Sequence, residues 1–231
     1  MIKAINSLLL NPLRDLFFPP VCRLCDGLLT SGSIIVCQNC LSSLTPLRNE
    51  THGFEPEEIR FDRWFILYEF DDTLRNLIHL FKYQHCMGLS GVFALQAFER
   101  FFRHTSDQYA CVLAVPLHPT RERERGYNQS ALLAEALAGY MGLPFYPSGI
   151  HRTRATPTQT KLSRIERRKN VANAFKADLR VPADQVLLVD DVITTGSTIS
   201  ACAETLKQCG VKKVDVFALS NPVIGNDQTS G

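Results

Sequence analysis

The sequence predicts an α/β fold, a mostly parallel sheet flanked by helices, with a small four-cysteine module ahead of it. Three observations predict this. From Trp64 onward, short apolar runs alternate with helical periodicity, the pattern of strand–crossover–strand units. One of those runs ends in paired acids and a hydroxyl-rich turn around a glycine. Before all of them, four cysteines occur as two C-x-x-C pairs.

The opening stretch, MIKAINSLLLNPLRDLFFPP, has a very short apolar run at 8–10 that Asn11, Pro12, Arg14 and Asp15 interrupt, with no small-residue cleavage site after it. It reads as a short amphipathic helix rather than a signal sequence. Residues 1–45 are expected to form this helix and a zinc-binding module. Residues 46–60, with Pro46, Gly53, Pro56 and several charges, read as a linker. The main domain is placed at 61–224, and 225–231 as a flexible tail.

Within the main domain, WFILYEF at 64–70 is aromatic and β-branched, hence a strand. Asp71 and Asp72 stand where a helix cap is needed, ahead of Leu74, Leu77, Ile78 and Phe81 at helical spacing. A second helix is expected over 89–103, then a buried strand over 111–115 that Pro116 ends. NQSALLAEALAGY at 128–140 is a helix opened by Asn128 and closed by Gly142 and Pro144. Residues 151–163 read as a long polar loop and 163–170 as a short helix. A strand at 186–189, a helix at 197–209 closed by Gly210, and a strand at 213–219 complete the pattern.

Composition narrows the class. With 45% hydrophobic and 21% charged residues among 231, the chain is not intrinsically disordered. No apolar run is long enough to span a bilayer, so a cytoplasmic protein is expected. Net charge is +2, but residues 121–180 hold twelve Lys/Arg against five Asp/Glu. That local excess points to an anionic partner: phosphate, pyrophosphate or nucleic acid.

The most informative stretch is VLLVDDVITTGST at 186–198. Four apolar residues make a buried strand, Asp190 and Asp191 stand at its C-terminal end, and Thr194 to Thr198 turn into a helix. Ligands of open parallel sheets bind beyond the carboxyl ends of the strands. A helix start offers unpaired N–H groups and the positive end of the dipole to a phosphate. Gly196 lets the backbone approach an anion, and the hydroxyls of Thr194, Thr195, Ser197 and Thr198 add donors. Ribose hydroxyls can donate to the two acids, and a divalent cation can offset their charge. A plain strand ending in a capping acid pair is the competing reading, but the strand, acids and glycine turn occur together.

This segment resembles, over all thirteen residues, the phosphoribosyl pyrophosphate motif of type I phosphoribosyltransferases. The resemblance implies that Asp190 and Asp191 hold the ribose hydroxyls and that Thr194, Thr195, Gly196, Ser197 and Thr198 hold the 5′-phosphate, with Mg²⁺ accompanying the ligand. It also implies a pyrophosphate-contacting loop after an early strand, where Leu117 and His118 stand. The basic residues Arg125, Arg154, Lys161 and Arg167 are further candidates for pyrophosphate. Arg121, Arg123 and Arg125 would share one face of a strand or fan out from a loop; a solvated charge run is the bland alternative for Arg121 and Arg123. Gly126 asks for an unusual backbone angle, and the polar segment after Arg152 suits a lid over a bound polyanion.

Taken together, PLHPTRERERGYNQ at 116–129, the spaced Thr156, Gln159, Leu162, Arg167 and Asn170, the acidic turn, and Lys82-Tyr83 after an apolar helix resemble the ComF family of competence-associated proteins. The resemblance implies a role on the cytoplasmic side of DNA uptake. Two functions follow for test: a phosphoribosyl-transferring enzyme, or a single-stranded DNA-binding or regulatory protein with a nucleotide-sensing pocket. No residue stands out as a general base.

Cys22 and Cys25, then eleven residues, then Cys37 and Cys40 give a spacing that wraps two knuckles around one tetrahedral zinc. Gly27 is expected to permit the tight turn after the first pair. Cys86, Cys111, Cys202 and Cys209 read as core residues, and His79, His85 and His104 have no evident metal partners.

Overall fold

The computed structural model describes residues 19–29, 35–47, 59–153, 174–178, 180–182 and 184–222. The expected N-terminal amphipathic helix, the 163–170 helix and the C-terminal tail lie outside these residues.

Four strands form a parallel sheet: β1 (Arg63–Tyr68), β2 (Tyr109–Ala114), β5 (Gln185–Val189) and β6 (Lys213–Ser220), in the order β1-β6-β5-β2. Between them in sequence, β3 (Ile150–Arg152) and β4 (Phe175–Ala177) pair antiparallel as a separate ribbon. The described helices are α1 (Gln38–Ser42), α2 (Asp72–Tyr83), α3 (Leu89–Ala97), α4 (Pro119–Arg125), α5 (Gln129–Met141) and α6 (Ser197–Gln208).

The period of two along β5 divides its side chains between two cores. Leu187 and Val189 pack with α2, α3 and α5 on one face, through residues such as Leu74, Phe81, Phe93 and Leu133. Val186 and Leu188 pack with Ile199, Cys202 and Leu206 of α6 on the other. Each buried Leu or Val side chain contributes about 1.5–3 kcal/mol, so the strand that ends in the acid pair is held from both sides.

The caps read from the sequence form. The Asp71 carboxylate accepts the Leu74 N–H at 2.7 Å, opening α2. Asn128 accepts the Ser130 N–H at 3.0 Å, opening α5, while its amide nitrogen donates to the Val115 carbonyl. Gly142 and Gly126 adopt positive φ at the ends of α5 and α4.

Four expectations are corrected. Arg121, Arg123 and Arg125 lie on a helix, not a strand or loop: Pro119 starts α4, the His118 side chain accepts the Thr120 N–H, and Gly126 closes it. The long polar loop begins as a strand, because Ile150 and Phe175 are both buried in the core beside α6. Three residues carry too little periodicity to announce that pairing. The expected 89–103 helix changes into a π-turn at Phe98–Phe102. Cys209 is exposed, because it is the residue that ends α6, whereas Cys86, Cys111 and Cys202 are buried.

Leu47, at the start of the segment read as a linker, is buried, and its N–H donates to Leu67 of β1. Cys22, Val36 and Leu44 of the cysteine segment join the same core as α2 and α3. Among the described residues no helix is long and apolar enough to cross a membrane.

Candidate functional site

The site gathers at the carboxyl ends of β5 and β2, which are neighbours in the sheet. After Val189 the chain leaves the sheet at Asp190, turns through Thr194 and Thr195, and enters α6. Gly196 sits before the helix with φ 70°, a left-handed conformation that glycine adopts without strain. It has no side chain with which to cap the helix, and the first N–H groups of a helix have no partner within it. Thr195 Oγ1 and Ser197 Oγ lie 3.1 Å apart across the turn. The result is a cradle of main-chain donors and hydroxyls at the positive end of a helix, suited to an anion.

The two acids are organised by residues far away in sequence. Ser130, at the start of α5, donates its hydroxyl to Asp190 Oδ1 at 2.8 Å, and the Asp191 N–H donates to the same oxygen at 2.9 Å. Asp191 Oδ1 accepts the Val192 N–H at 2.7 Å, and Asp191 Oδ2 pairs with Lys82 Nζ at 2.7 Å. Burial, followed by the neighbouring Asp191 charge, pushes the Asp190 carboxyl up to about 7, against the opposing effects of Ser130, the Asp191 N–H and Lys82.

Leu117 and His118 lie in the turn between β2 and α4, both partly buried. His118 Nδ1 accepts the Thr120 N–H, so in the neutral ring the proton sits on Nε2. That Nε2 is buried without a hydrogen-bond partner among the described residues. Burial, then the charges of Arg152, Arg121 and Arg123, hold His118 below the usual imidazole range. Arg152, on β3, is thus a basic residue beside the turn; its guanidinium also lies over the Phe175 ring.

Arg125 is engaged elsewhere. It donates to Gln129 Oε1 and to the Tyr83 hydroxyl, both at 2.9 Å, and lies over the Tyr83 ring. It therefore ties α4 to the end of α2. The Tyr127 hydroxyl makes a second tie, donating to the Phe81 carbonyl. Arg154, Lys161 and Arg167 lie outside the described residues. The structure brings Asp190, Asp191 and the 194–198 turn into one continuous segment and adds Lys82 and Ser130 to it. Neither was singled out for the site from sequence; the Lys82-Tyr83 pattern was the one available signal.

The acid pair does not call for a directly bound Mg²⁺: Lys82 Nζ already sets a positive charge against Asp191, while the Ser130 hydroxyl and backbone N–H groups orient both carboxylates.

The four cysteine sulfurs, by contrast, fit a metal. Cys22, Cys25, Cys37 and Cys40 place their Sγ atoms within 4.8 Å of one another. Cys22–Cys40 and Cys25–Cys37 are 3.9 and 3.7 Å, near the edge of about 3.8 Å that a tetrahedron of 2.3 Å Zn–S bonds requires. Cys22 Sγ accepts the N–H groups of Leu24 and Cys37. Burial opposes its ionisation, but these backbone donors outweigh it and lower the thiol to about 6. The left-handed residue of the first knuckle is Asp26, φ 57°, not Gly27. Gly27 instead gives its carbonyl to the Cys22 N–H, and its missing Cβ would stand 3.4 Å from the Cys25 sulfur. Among the described residues no histidine joins a metal-binding cluster.

A parallel sheet flanked by helices, with an acid pair and a glycine turn at its carboxyl edge, defines a phosphoribosyltransferase-fold protein. A phosphoribosyl transferase domain model matches residues 128–224. The chain is 31% identical over 191 residues to competence protein F of Haemophilus influenzae, covering 80% of this chain and 83% of that one. It therefore belongs to the ComF family of phosphoribosyltransferase-like proteins. It is also 42% identical over 108 residues to the DNA utilization protein YhgH of Escherichia coli O157:H7, covering 47% of this chain and about half (48%) of that one. Adenine phosphoribosyltransferase from Saccharomyces cerevisiae overlaps 81% of this chain and 90% of its own at 16% identity, with a TM-score of 0.39. The assignment of fold rests on the family match and the sheet, not on that overlap.

Proposed function

We infer that this protein binds phosphoribosyl pyrophosphate, or a nucleotide sharing its phosphoribosyl end, and serves DNA uptake at the cytoplasmic side. The observation that carries the reading is the helix start at Gly196, uncapped by any side chain, immediately after an acid pair at the carboxyl end of β5. In this reading Thr194 to Thr198 bind the 5′-phosphate, and Asp190 and Asp191 accept the ribose hydroxyls. His118, with a buried Nε2–H and no partner among the described residues, donates to a pyrophosphate oxygen, and Leu117 shapes the same turn. Arg154, Lys161 and Arg167 remain candidates for the same group; Arg125 acts instead by positioning α4. The competence role rests on the family and on its relatives' names.

The chemistry such a site supports is displacement at C1′. A nitrogen nucleophile forms a bond to C1′, the C1′–O bond breaks, and pyrophosphate leaves with its electron pair. The acids fix the ribose while the helix end and the basic turn hold the two anionic groups. Zinc on Cys22, Cys25, Cys37 and Cys40 would be structural: it ties together a segment too small to hold its own core.

The test is titration calorimetry with phosphoribosyl pyrophosphate. Wild type binds; the double variant Asp190→Asn, Asp191→Asn loses tenfold or more, since charge-assisted hydrogen bonds contribute about 1.5–3 kcal/mol each. Equal binding by both proteins overturns the site. A second reading, single-stranded DNA binding, is favoured by Arg121 and Arg123, both exposed on α4. A mobility shift with short oligonucleotides that weakens steeply with salt supports it; no shift at low salt removes it.

A further inference from the structure

We propose that Lys82 is the built-in counter-cation of the acid pair, so that the ribose and 5′-phosphate end of the ligand binds without a divalent ion. The proposal rests on the phosphoribosyl reading above and adds to it how the site balances its own charge. Two adjacent carboxylates beside a phosphate cradle repel both one another and the ligand, and a positive charge beside them offsets that repulsion. In this structure that is Lys82. Its Nζ is 2.7 Å from Asp191 Oδ2, and the two side chains are only 18% and 11% exposed. An ion pair so placed is screened far less than a surface pair.

The lysine's position is constructed by its neighbours. It lies in the last turn of α2, where the helix dipole favours a cation. The residue before it, Phe81, is fully buried, and its carbonyl accepts the Tyr127 hydroxyl. The residue after it, Tyr83, is held by Arg125. Both ties run to the segment between β2 and α5, which also supplies His118. Lys82 is thus gripped on either side by the elements that form the site.

The remaining oxygen contacts point the same way. Asp191 Oδ1 is taken by the Val192 N–H, and Asp190 Oδ1 by Ser130 and the Asp191 N–H. A divalent ion on Asp191 would stand against the charge of Lys82, 2.7 Å from the same carboxylate. In this account any Mg²⁺ travels on the pyrophosphate of the ligand, and a ligand without pyrophosphate needs none.

Ribose 5-phosphate separates the two ends. It is titrated into the full chain in buffer freed of magnesium on an exchange resin, with no chelator so that the cysteine module is untouched, and again with added magnesium. Wild type is expected to give dissociation constants that agree within about threefold, less than 1 kcal/mol. Lys82→Met is expected to bind at least about tenfold more weakly without magnesium and to regain affinity when it is added, and Lys82→Arg to stay magnesium-independent. Wild-type binding that appears only with magnesium overturns the proposal and leaves the phosphoribosyl site standing. So does a Lys82→Met protein that binds as wild type does without magnesium. No binding of ribose 5-phosphate by wild type in either buffer sinks the phosphoribosyl reading itself, and the proposal with it.

Discussion

Asp190 is the residue whose surroundings carry the sharpest consequence. Its carboxyl is raised to about 7 by burial and by Asp191, whereas in the unfolded chain it titrates near 3.9. A folded-state value above the unfolded one contributes stability that is fully present below the unfolded value and lost as pH rises through the folded one. Wild type should therefore lose stability between about pH 4 and pH 7 because of this group. Asp190→Asn keeps an oxygen for the Ser130 hydroxyl and removes the titration. Thermal unfolding of both proteins from pH 4.5 to 8 should show the variant gaining on wild type as pH rises. A constant difference across that range would show that Asp190 is not the group responsible. The motif around this residue was legible because it is local: a strand, two acids and a glycine turn occupy thirteen consecutive residues. Its partners were not. Ser130 is 60 residues away from Asp190, and nothing in the spacing of α5 marks it as a site residue.

At the scale of elements, the cysteine segment is held by two kinds of contact. Cys22, Val36 and Leu44 enter the main core, while the four sulfurs have no covalent link among themselves. With zinc in place, the segment is expected to be as protected from proteolysis as the sheet. One zinc per chain by elemental analysis, and new cleavage within 19–29 or 35–47 after chelation with cleavage elsewhere unchanged, are the expected results. Absence of bound zinc from protein purified without chelator would refute the metal assignment. The cysteine pairs were readable because ligand spacing is a property of sequence. The knuckle's left-handed residue was not: Asp26 takes it, an outcome decided by the hydrogen bonds Asp26 N–H to the Cys22 carbonyl and Cys22 N–H to the Gly27 carbonyl. The same limit applies to α4. Alternating Arg and Glu suit a strand or a loop as sequence, but Pro119 and Gly126 at its ends let a two-turn helix form.

Across the whole molecule, the two edges of the sheet have separate tasks. The carboxyl edge carries the candidate site. The amino edge carries a charge cluster in which the first residues of β1, β2 and β5 meet around Asp215, the third residue of β6. Asp215 is fully buried, and its Oδ2 accepts from Arg63 at 2.6 Å, the Tyr109 hydroxyl at 2.8 Å and Gln185 at 2.8 Å. Arg63 also pairs with Asp107. Burial and then Asp215 push the Tyr109 phenol well above its ordinary range, so it remains the donor. Asp215→Ala removes the shared acceptor. Allowing for the solvent that reaches Arg63, whose side chain is 42% exposed, the cost is about 2–3 kcal/mol, or roughly 5–10 °C in Tm. Ligand affinity in the folded protein should not change, since the cluster is at the far end of the strands. An affinity loss comparable to that of the site variants would show that the two edges are coupled.

Local chemistry determined what could be read along the chain: the strand and helix periods, the caps at Asp71 and Asn128, the cysteine knuckles, and the acid pair with its glycine turn. Each depends on residues a few positions apart, where backbone geometry alone sets which groups meet. Tertiary structure alone decided that Lys82 would neutralise Asp191, that Ser130 would reach Asp190, that Arg125 would be spent on Tyr83, and that β3 would find β4. Those contacts join segments that meet only after the two cores have closed around the sheet, and no spacing in the sequence encodes a distance across a folded interior.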